Sequence, residues 1–157
     1  MNIVLIGMPN SGKSTIGNLL AGMLKMEFID TDDVILEKVK KSLKEVVIQD
    51  GLEKFLEIQG LVIENLNVDN SIISTGGSCI YNANALEQLR KNSKIIYLKV
   101  GREELKARLQ SGRRFAKRNN QSFEDIYKER VPLYEKHSDC IIDCSGKTAE
   151  EVANEIY

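Results

Sequence analysis

The segment from Gly7 to Thr15 constrains the fold of this chain more than any other. It reads Gly-Met-Pro-Asn-Ser-Gly-Lys-Ser-Thr and directly follows the apolar run 2–6. The pattern Gly-x-x-x-x-Gly-Lys-Ser between a strand and a helix is a phosphate-binding loop, or P-loop, whose backbone N–H groups turn inward around phosphate oxygens. The positive end of the following helix adds to this cradle. The segment therefore predicts an α/β fold that binds a nucleoside triphosphate.

The residue types within the P-loop indicate what each position does. We expect Lys13 to reach the β and γ phosphates of ATP and the Ser14 hydroxyl to ligate Mg²⁺. A glycine turn that only closes a βα unit is the alternative, and it leaves the lysine unexplained. We also expect Lys13→Ala to abolish turnover with little loss of folding, because a lysine in an exposed loop contributes little to stability. The nucleotide-binding set is predicted as Gly7, Asn10, Ser11, Gly12, Lys13, Ser14 and Thr15.

Short β-branched runs alternate with longer amphipathic stretches along the rest of the chain, which favours βαβ units around a parallel sheet covered on both faces. Strands are predicted at 2–6, 26–30, 71–75, 94–99 and 139–143. Helices are predicted at about 13–25, 31–41, 43–50, 52–67, 83–91, 101–110, 122–136 and 147–156. Thr148 and Glu151 form a capping box, and Asn82 or Asn84 can cap the helix that ends near Arg90. The pattern predicts one α/β/α domain, residues 1–157, with a five-stranded parallel sheet.

Composition narrows the class of partner. The chain has 157 residues, of which 42% are apolar and 29% charged, and this is enough for one domain with a sizeable core. Its formal net charge of -1 supplies no positive field for a polynucleotide, so we expect no nucleic-acid partner. No apolar run approaches the roughly 20 residues of a membrane span. The N-terminus lacks a basic region typical of signal peptides, and three cysteines without metal-site spacing indicate reduced thiols in the cytoplasm.

Polar residues follow the second and third predicted strands. Asp30-Thr31-Asp32-Asp33 comes after the second strand, at the edge where open α/β sheets bind ligands. Carboxylates there can bind Mg²⁺ or orient an attacking hydroxyl, and N-capping of a helix is the alternative. Gly76 and Gly77 follow the third strand, where missing side chains let a substrate approach the backbone, although such a pair is often only a turn. Arg130 is either a site residue or an exposed cation on a surface helix.

One basic segment interrupts the alternation. Residues 111–121 read Ser-Gly-Arg-Arg-Phe-Ala-Lys-Arg-Asn-Asn-Gln, with four cations and helix-breaking residues at both ends. A solvated surface turn would explain the charges alone. In a chain that must neutralise a triphosphate, we interpret the segment as a short basic lid.

In order and spacing, these segments resemble the shikimate kinase family over nearly the whole chain. The resemblance rests on the P-loop, on Asp30-Thr31-Asp32, on Gly76-Gly77, on the Arg-Arg of the basic segment, and on Arg130-Val131-Pro132-Leu133-Tyr134. It implies a five-stranded parallel sheet of the nucleoside monophosphate kinase type with a closing lid. It also implies a cytoplasmic enzyme, expected to be a monomer, that phosphorylates the 3-hydroxyl of shikimate with ATP in aromatic amino acid biosynthesis.

The resemblance also implies roles for single residues. Lys13 and Ser14 would hold phosphate and Mg²⁺, with Asp30 supporting the metal through water. Asp32 would contact the substrate hydroxyls and act as base, while Gly76, Gly77 and Arg130 would bind the substrate, Arg130 through its carboxylate. Arg114, or Arg113 if the register shifts, matches the lid arginine that touches the transferred phosphate, and Arg108 resembles the arginine that packs on adenine.

Three departures from the family pattern fall on the acceptor side. Leu56 and Gln59 stand where the family has an arginine and a glutamate, and Ser78 replaces a third glycine. A lost charge-assisted hydrogen bond of roughly 1.5 to 3 kcal/mol would weaken binding of a carboxylate substrate by about ten- to a hundredfold. Either Lys54, Lys117 or Arg118 supplies the missing cation, or the acceptor is another small hydroxylated metabolite, as in gluconate- or nucleoside-type kinases. A regulatory module that binds ATP without an acceptor is the remaining hypothesis.

Overall fold

The computed structural model describes residues 1–109 and 122–157. The predicted lid, with Arg113, Arg114, Lys117 and Arg118, lies outside these ranges. The strands are β1 (Asn2–Ile6), β2 (Glu27–Asp30), β3 (Ser71–Ser74), β4 (Ser93–Lys99) and β5 (Cys140–Asp143). The helices are α1 (Lys13–Leu24), α2 (Thr31–Val39), α3 (Leu43–Asp50), α4 (Leu52–Glu64), α5 (Ala83–Arg90), α6 (Arg102–Leu109), α7 (Phe123–His137) and α8 (Ala149–Ile156). Every predicted strand and helix has its counterpart, with bounds that differ by a few residues.

The five strands form one parallel sheet in the order β2-β3-β1-β4-β5, which confirms the predicted α/β fold. The chain passes from β1 to β2 at one edge, returns through β3 and then crosses to β4 on the other side of β1. Ligands bind at the carboxyl ends of strands where the order reverses in this way. The register pairs Asp30 with Ser74 and Leu5 with Ser74 through β3. The loops after β1, β2 and β3 therefore emerge side by side.

The apolar residues divide between two clusters. The larger lies around the sheet, where Val4, Leu5 and Ile6 of β1 are completely buried, as expected for a central strand of a parallel sheet. The smaller joins α2, α3 and α4 and contains Ile35, Val46, Phe55, Leu56 and Val62. Burying a large aliphatic or aromatic side chain is worth about 1.5 to 3 kcal/mol, so even the smaller cluster fixes these three short helices against one another.

Local signals set several helix ends. Thr148 accepts from the Glu151 amide in the predicted capping box of α8, and Ser122 and Asp125 form a second capping box for α7. Asn82 stands at the start of α5 as predicted, but its side chain donates to Gln59 Oε1 at 3.4 Å instead of capping the helix. A 3₁₀ helix over Gly77–Tyr81, which the sequence did not predict, continues from the loop after β3. Within the described ranges, no helix is both long enough and apolar enough to cross a bilayer.

Candidate active site

The P-loop adopts a conformation in which glycine is needed at the helix start. Gly12 has φ 95° and ψ 14°, in the left-handed region that side chains disfavour, and it occupies the N-cap position of α1. Because Gly12 has no side chain, it cannot cap the helix itself, and the first residues of α1 line a pocket. Free N–H groups at a helix N-terminus attract anions. The loop thus has the geometry predicted for a phosphate site.

Lys13 is buried at this loop, with only 7% of its surface exposed. Its Nζ donates to the carbonyl oxygens of Gly7 and Met8 at 2.8 Å each, and it lies 3.4 Å from Ser11 Oγ. The expectation that this lysine is exposed is therefore wrong, and this removes the reason for expecting little loss of folding on its replacement. The loop carbonyl oxygens take the place of water as acceptors for the buried ammonium group.

Ser14 and Asp30 meet where β2 ends. Ser14 Oγ donates to Asp30 Oδ2 at 2.7 Å, and the other oxygen of Asp30 accepts from the Asp32 amide at 2.9 Å. Asp30 is thus the N-cap of α2, which confirms that alternative, and it is also the partner of the P-loop serine, while its role toward Mg²⁺ stays a prediction. A hydroxyl and a carboxylate are hard oxygen donors that suit Mg²⁺, which takes few protein ligands and keeps its remaining sites for water and phosphate.

Positions 76 and 77 need glycine because neighbouring groups approach the backbone too closely for a side chain. A Cβ on Gly76 would lie 2.8 Å from both Asp32 Oδ1 and Gln59 Nε2, and one on Gly77 would lie 2.7 Å from Pro9 Cδ. The Gly76 amide also donates to Thr31 Oγ1 at 3.2 Å, which ties this turn to α2. The two glycines bring the Asp32 carboxylate and the P-loop against the same stretch of backbone.

Arg130 is 1% exposed, so the alternative of a surface cation on α7 is wrong. Its Nε donates to the Tyr81 hydroxyl at 3.2 Å, and its guanidinium carbon lies 5.3 Å from the centre of the Tyr81 ring. One turn later, the buried Tyr134 hydroxyl donates to the Gly77 carbonyl oxygen at 2.5 Å. Burial raises the pKa of Tyr81, and Arg130 opposes this shift. The phenol therefore stays neutral beside the cation at physiological pH.

These groups converge on one pocket. It is lined by Pro9, Asn10, Gly12, Lys13, Ser14, Thr15, Asp30, Asp32, Leu43, Phe55, Thr75, Gly76, Gly77, Ser78 and Arg130. The P-loop backbone and the Lys13 ammonium group lie at one side of the pocket. The Asp32 carboxylate, the glycine turn and the buried Arg130 lie at the other. Such a pocket can hold a polyanion beside a small hydroxylated acid. Of the remaining predicted P-loop residues, Gly7 and Ser11 contribute as acceptors for Lys13.

Comparison with known proteins identifies the family. The family model described as shikimate kinase matches residues 9–157. The chain belongs to the shikimate kinase family. It is therefore a kinase, a class of enzyme that transfers a phosphoryl group from ATP. A shikimate kinase of Clostridium botulinum is 43% identical over 153 residues, which cover 93% of this chain and 89% of that protein.

Solved structures of shikimate kinases agree with this family membership. The enzyme of Acinetobacter baumannii in complex with shikimate superposes with a TM-score of 0.88 at 28% identity, covering 99% of this chain and 89% of the other. The enzyme of Aquifex aeolicus superposes with a TM-score of 0.86 at 29% identity, covering 99% and 94%. The described ranges of this chain thus have the fold of the family.

Arg108, predicted to pack on adenine, lies beside the P-loop and is not among the residues that line the pocket. It donates to the Asn10 carbonyl oxygen at 2.7 Å and to Glu104 at 3.0 Å. The predicted catalytic Arg114 and its alternative Arg113 lie outside the described residues, so their roles remain predictions.

The acceptor-side departures from the family lie together at α4. Leu56 packs in the smaller apolar cluster, and Gln59 is completely buried with its Oε1 accepting from Ser78 Oγ at 3.2 Å. Lys54 is not among the residues that line the pocket, and its side chain is 52% exposed and forms an ion pair with Glu57 at 3.7 Å. This placement disfavours Lys54 as the substitute cation, and the hypotheses for Lys117 and Arg118 fall outside the described residues.

Several residues that shape the site escaped prediction. Tyr81 and Tyr134 hold Arg130 and the Gly77 turn, and Thr75 donates its hydroxyl to the Leu5 carbonyl oxygen at 2.8 Å. The spacing of Arg130 and Tyr134 could have indicated a shared helix face, because residues four apart are neighbours on a helix. Tyr81 gave no such signal, since its role depends on the unpredicted 3₁₀ helix.

Proposed function

We propose that this chain transfers the γ-phosphoryl group of ATP to the 3-hydroxyl of shikimate, giving shikimate 3-phosphate and ADP. The observation that carries the proposal is the position of Arg130, a buried guanidinium in the same pocket as Lys13 and Asp32. A P-loop alone needs no second buried cation across the pocket. A substrate carboxylate explains one, because arginine binds carboxylates through charge-assisted and often bidentate hydrogen bonds.

The proposed division of labour follows the two sides of the pocket. On the donor side, the P-loop backbone and Lys13 bind the phosphates, and Ser14 with Asp30 holds Mg²⁺, Asp30 through water. When bound, Mg²⁺ neutralises developing charge on the phosphate oxygens. Arg108 lies near the P-loop, where the adenine is expected, and Arg114 is proposed as the lid cation.

On the acceptor side, Asp32 accepts hydrogen bonds from substrate hydroxyls and takes the proton of the attacking one. Gly76 and Gly77 let the ring approach the backbone, and Arg130 fixes its carboxylate. Phosphoryl transfer depends mainly on such positioning and on charge stabilisation. We also propose that the chain acts as a monomer in the cytoplasm, where ATP is available.

An acceptor screen tests the proposal. The chain is incubated with ATP and Mg²⁺ and, separately, with shikimate, gluconate, a nucleoside or no acceptor, and ADP formation is recorded. We expect ADP only with shikimate, together with a phosphorylated product detected by mass spectrometry. ADP with another acceptor would reassign the substrate, and tight ATP binding without any acceptor-dependent turnover would favour a regulatory module.

A further inference from the structure

Gln59 is a buried amide that the proposed reaction does not use. Its exposed fraction is 0%, and among the described residues its Nε2 has no hydrogen-bond partner. A buried donor left without an acceptor costs about 1 to 3 kcal/mol, so its presence next to an active site calls for an explanation.

The hydrogen bonds of Gln59 Oε1 fix which way the amide faces. Ser78 Oγ donates to this oxygen at 3.2 Å and Asn82 Nδ2 does so at 3.4 Å. With the oxygen held on the side of the 3₁₀ helix, Nε2 faces the opposite side, which is occupied by Gly76. The Asn82 contact therefore orients the amide, because turning it over would bring two NH₂ groups together, whereas the Ser78 hydroxyl could bond either atom of the amide.

The side that Nε2 faces also contains the Asp32 carboxylate. Gln59 Nε2 and Asp32 Oδ1 each lie 2.8 Å from the position that a Cβ on Gly76 would take, so they are at most twice that distance apart. Both atoms are buried, whereas Asp32 as a whole lines the pocket. An amide donor thus lies near the inner oxygen of the carboxylate, beside Gly76, without a hydrogen bond between the two atoms.

We propose that Gln59 is a positioning residue for Asp32. This proposal rests on the proposed function, in which Asp32 accepts the proton of the substrate hydroxyl. The Gln59 amide attracts the inner carboxylate oxygen and so holds the outer one toward the pocket. A negative charge at position 59 would not be neutralised from α4, because Leu56, one turn earlier on that helix, is apolar. A glutamate at position 59 would place a second carboxylate against Asp32, and the two would repel.

Kinetics test this role with three variants, each measured on the acceptor that the wild type turns over. We expect Gln59→Glu and Gln59→Met to lower kcat by about ten- to a hundredfold while KM for ATP changes less than about twofold, as when one oriented contact is lost. Val62→Ala is the matched control, since Val62 lies buried on the same helix and in the cluster of Leu56. It should lower thermal stability and leave kcat unchanged.

A double-mutant cycle separates positioning from general damage. If Gln59 acts through Asp32, then Gln59→Met should have less than about a twofold effect in the Asp32→Asn background. An equal loss of kcat in both backgrounds, or wild-type kcat in Gln59→Met itself, would overturn the proposal.

A spectroscopic readout makes the test independent of activity, so that failure of the proposed function can be recognised separately. The side-chain NH₂ signals of Gln59 in a ¹H–¹⁵N spectrum are assigned by their disappearance in Gln59→Met. We expect them to shift in Asp32→Asn and to stay in place in Asp33→Asn, a matched change at an exposed neighbour. If the chemical shifts of these signals are unchanged in Asp32→Asn, the two groups do not interact, whatever acceptor the enzyme uses.

Discussion

At the scale of single residues, the P-loop lysine is positioned before any nucleotide binds. Two carbonyl oxygens and a serine hydroxyl surround the Lys13 ammonium group. An ammonium held in this way loses little conformational freedom when phosphates arrive, which is the advantage of a preorganised site. The same contacts make Lys13 part of the structure of the loop.

Replacing Lys13 should therefore affect both activity and stability. We expect Lys13→Met to lower turnover by about a hundredfold or more, as for removal of a preorganised charge donor. It should also lower the free energy of unfolding by about 1 to 3 kcal/mol, because loop carbonyls lose a charged donor. Acceptor-dependent ADP formation and urea denaturation measure the two effects. Lys38→Met, at an exposed position of α2, is the control, and wild-type turnover in Lys13→Met would remove the P-loop from the mechanism.

Ser14 provides a prediction about the metal. Its hydroxyl is 2.7 Å from Asp30 Oδ2, so Ser14→Ala removes one of two oxygen groups proposed to hold Mg²⁺. We expect the Mg²⁺ concentration for half-maximal rate to rise by about tenfold, the scale of a lost ligand contact of about 1.4 kcal/mol. Titration of Mg²⁺ at fixed ATP measures this shift. A titration curve that coincides with that of the wild type would argue against Ser14 as a ligand.

At the scale of secondary-structure elements, α1 lies unusually close to the sheet. Gly17 is buried on α1, and a Cβ there would lie 2.6 Å from Phe28 Cε1 and 3.4 Å from Leu5 Cδ1. Glycine lowers helix stability by about 1 kcal/mol relative to alanine. Its presence here is explained by the close approach of the helix that carries the P-loop to β1 and β2.

Two glycines of α1 give a matched pair of substitutions. Gly17→Ala should destabilise the fold by about 1 to 3 kcal/mol, because the new methyl group forces the Phe28 ring to move. Gly22→Ala should stabilise it by about 0.5 to 1 kcal/mol, since Gly22 lies in the same helix and no atom of the described ranges lies within 4 Å of a Cβ there. Urea denaturation of both variants measures the difference. Equal changes in the two would show that close packing of α1 does not matter.

Helix α7 connects the acceptor side of the pocket to the 3₁₀ helix. Arg130 and Tyr134 lie on one face, and they donate to Tyr81 and to the Gly77 carbonyl oxygen respectively. The Tyr134 ring packs against Tyr97 of β4, with ring centres 5.1 Å apart. The sheet, α7 and the glycine turn thus hold Arg130 in place together.

At the scale of the whole molecule, the core contains titratable groups that fold in their neutral form. Burial raises the pKa of Cys79 from 9.0 to about 11. Burial also raises the pKa of Cys144 to about 11, and that of Tyr134 lies well above its usual range. The folded state resists ionisation of these groups, whereas the unfolded chain does not.

Stability should therefore fall in alkaline solution. A raised pKa in the folded state gives stabilisation that is complete below pH 9 and is lost as the pH rises toward about 11. For Cys79 alone, the loss should be on the order of 2 to 3 kcal/mol. Urea denaturation from pH 8 to 11 measures it, with Cys79→Ala expected to show a smaller decline. Cys140→Ala, at a partly exposed position, should decline in parallel with the wild type, and parallel behaviour of Cys79→Ala would contradict the prediction.

The sequence by itself determined the elements and the donor half of the site. Alternating apolar patterns located the strands and helices, because periodicity reports which residues face a core. The P-loop pattern indicated phosphate binding through Gly7 to Thr15, since that chemistry depends on glycines, a lysine and a serine at fixed spacing within one continuous segment.

Only the tertiary structure decided what surrounds each side chain. The strand order placed Asp32, Gly76 and Arg130, which are far apart in the chain, around one pocket with Lys13. The tertiary structure also buried Lys13 and Arg130, left Lys54 exposed and placed the amide of Gln59 near Asp32. Periodicity shows that a helix has a buried face, but it does not show which neighbour covers that face. The acceptor side is built from such long-range neighbours, and the donor side from a single loop.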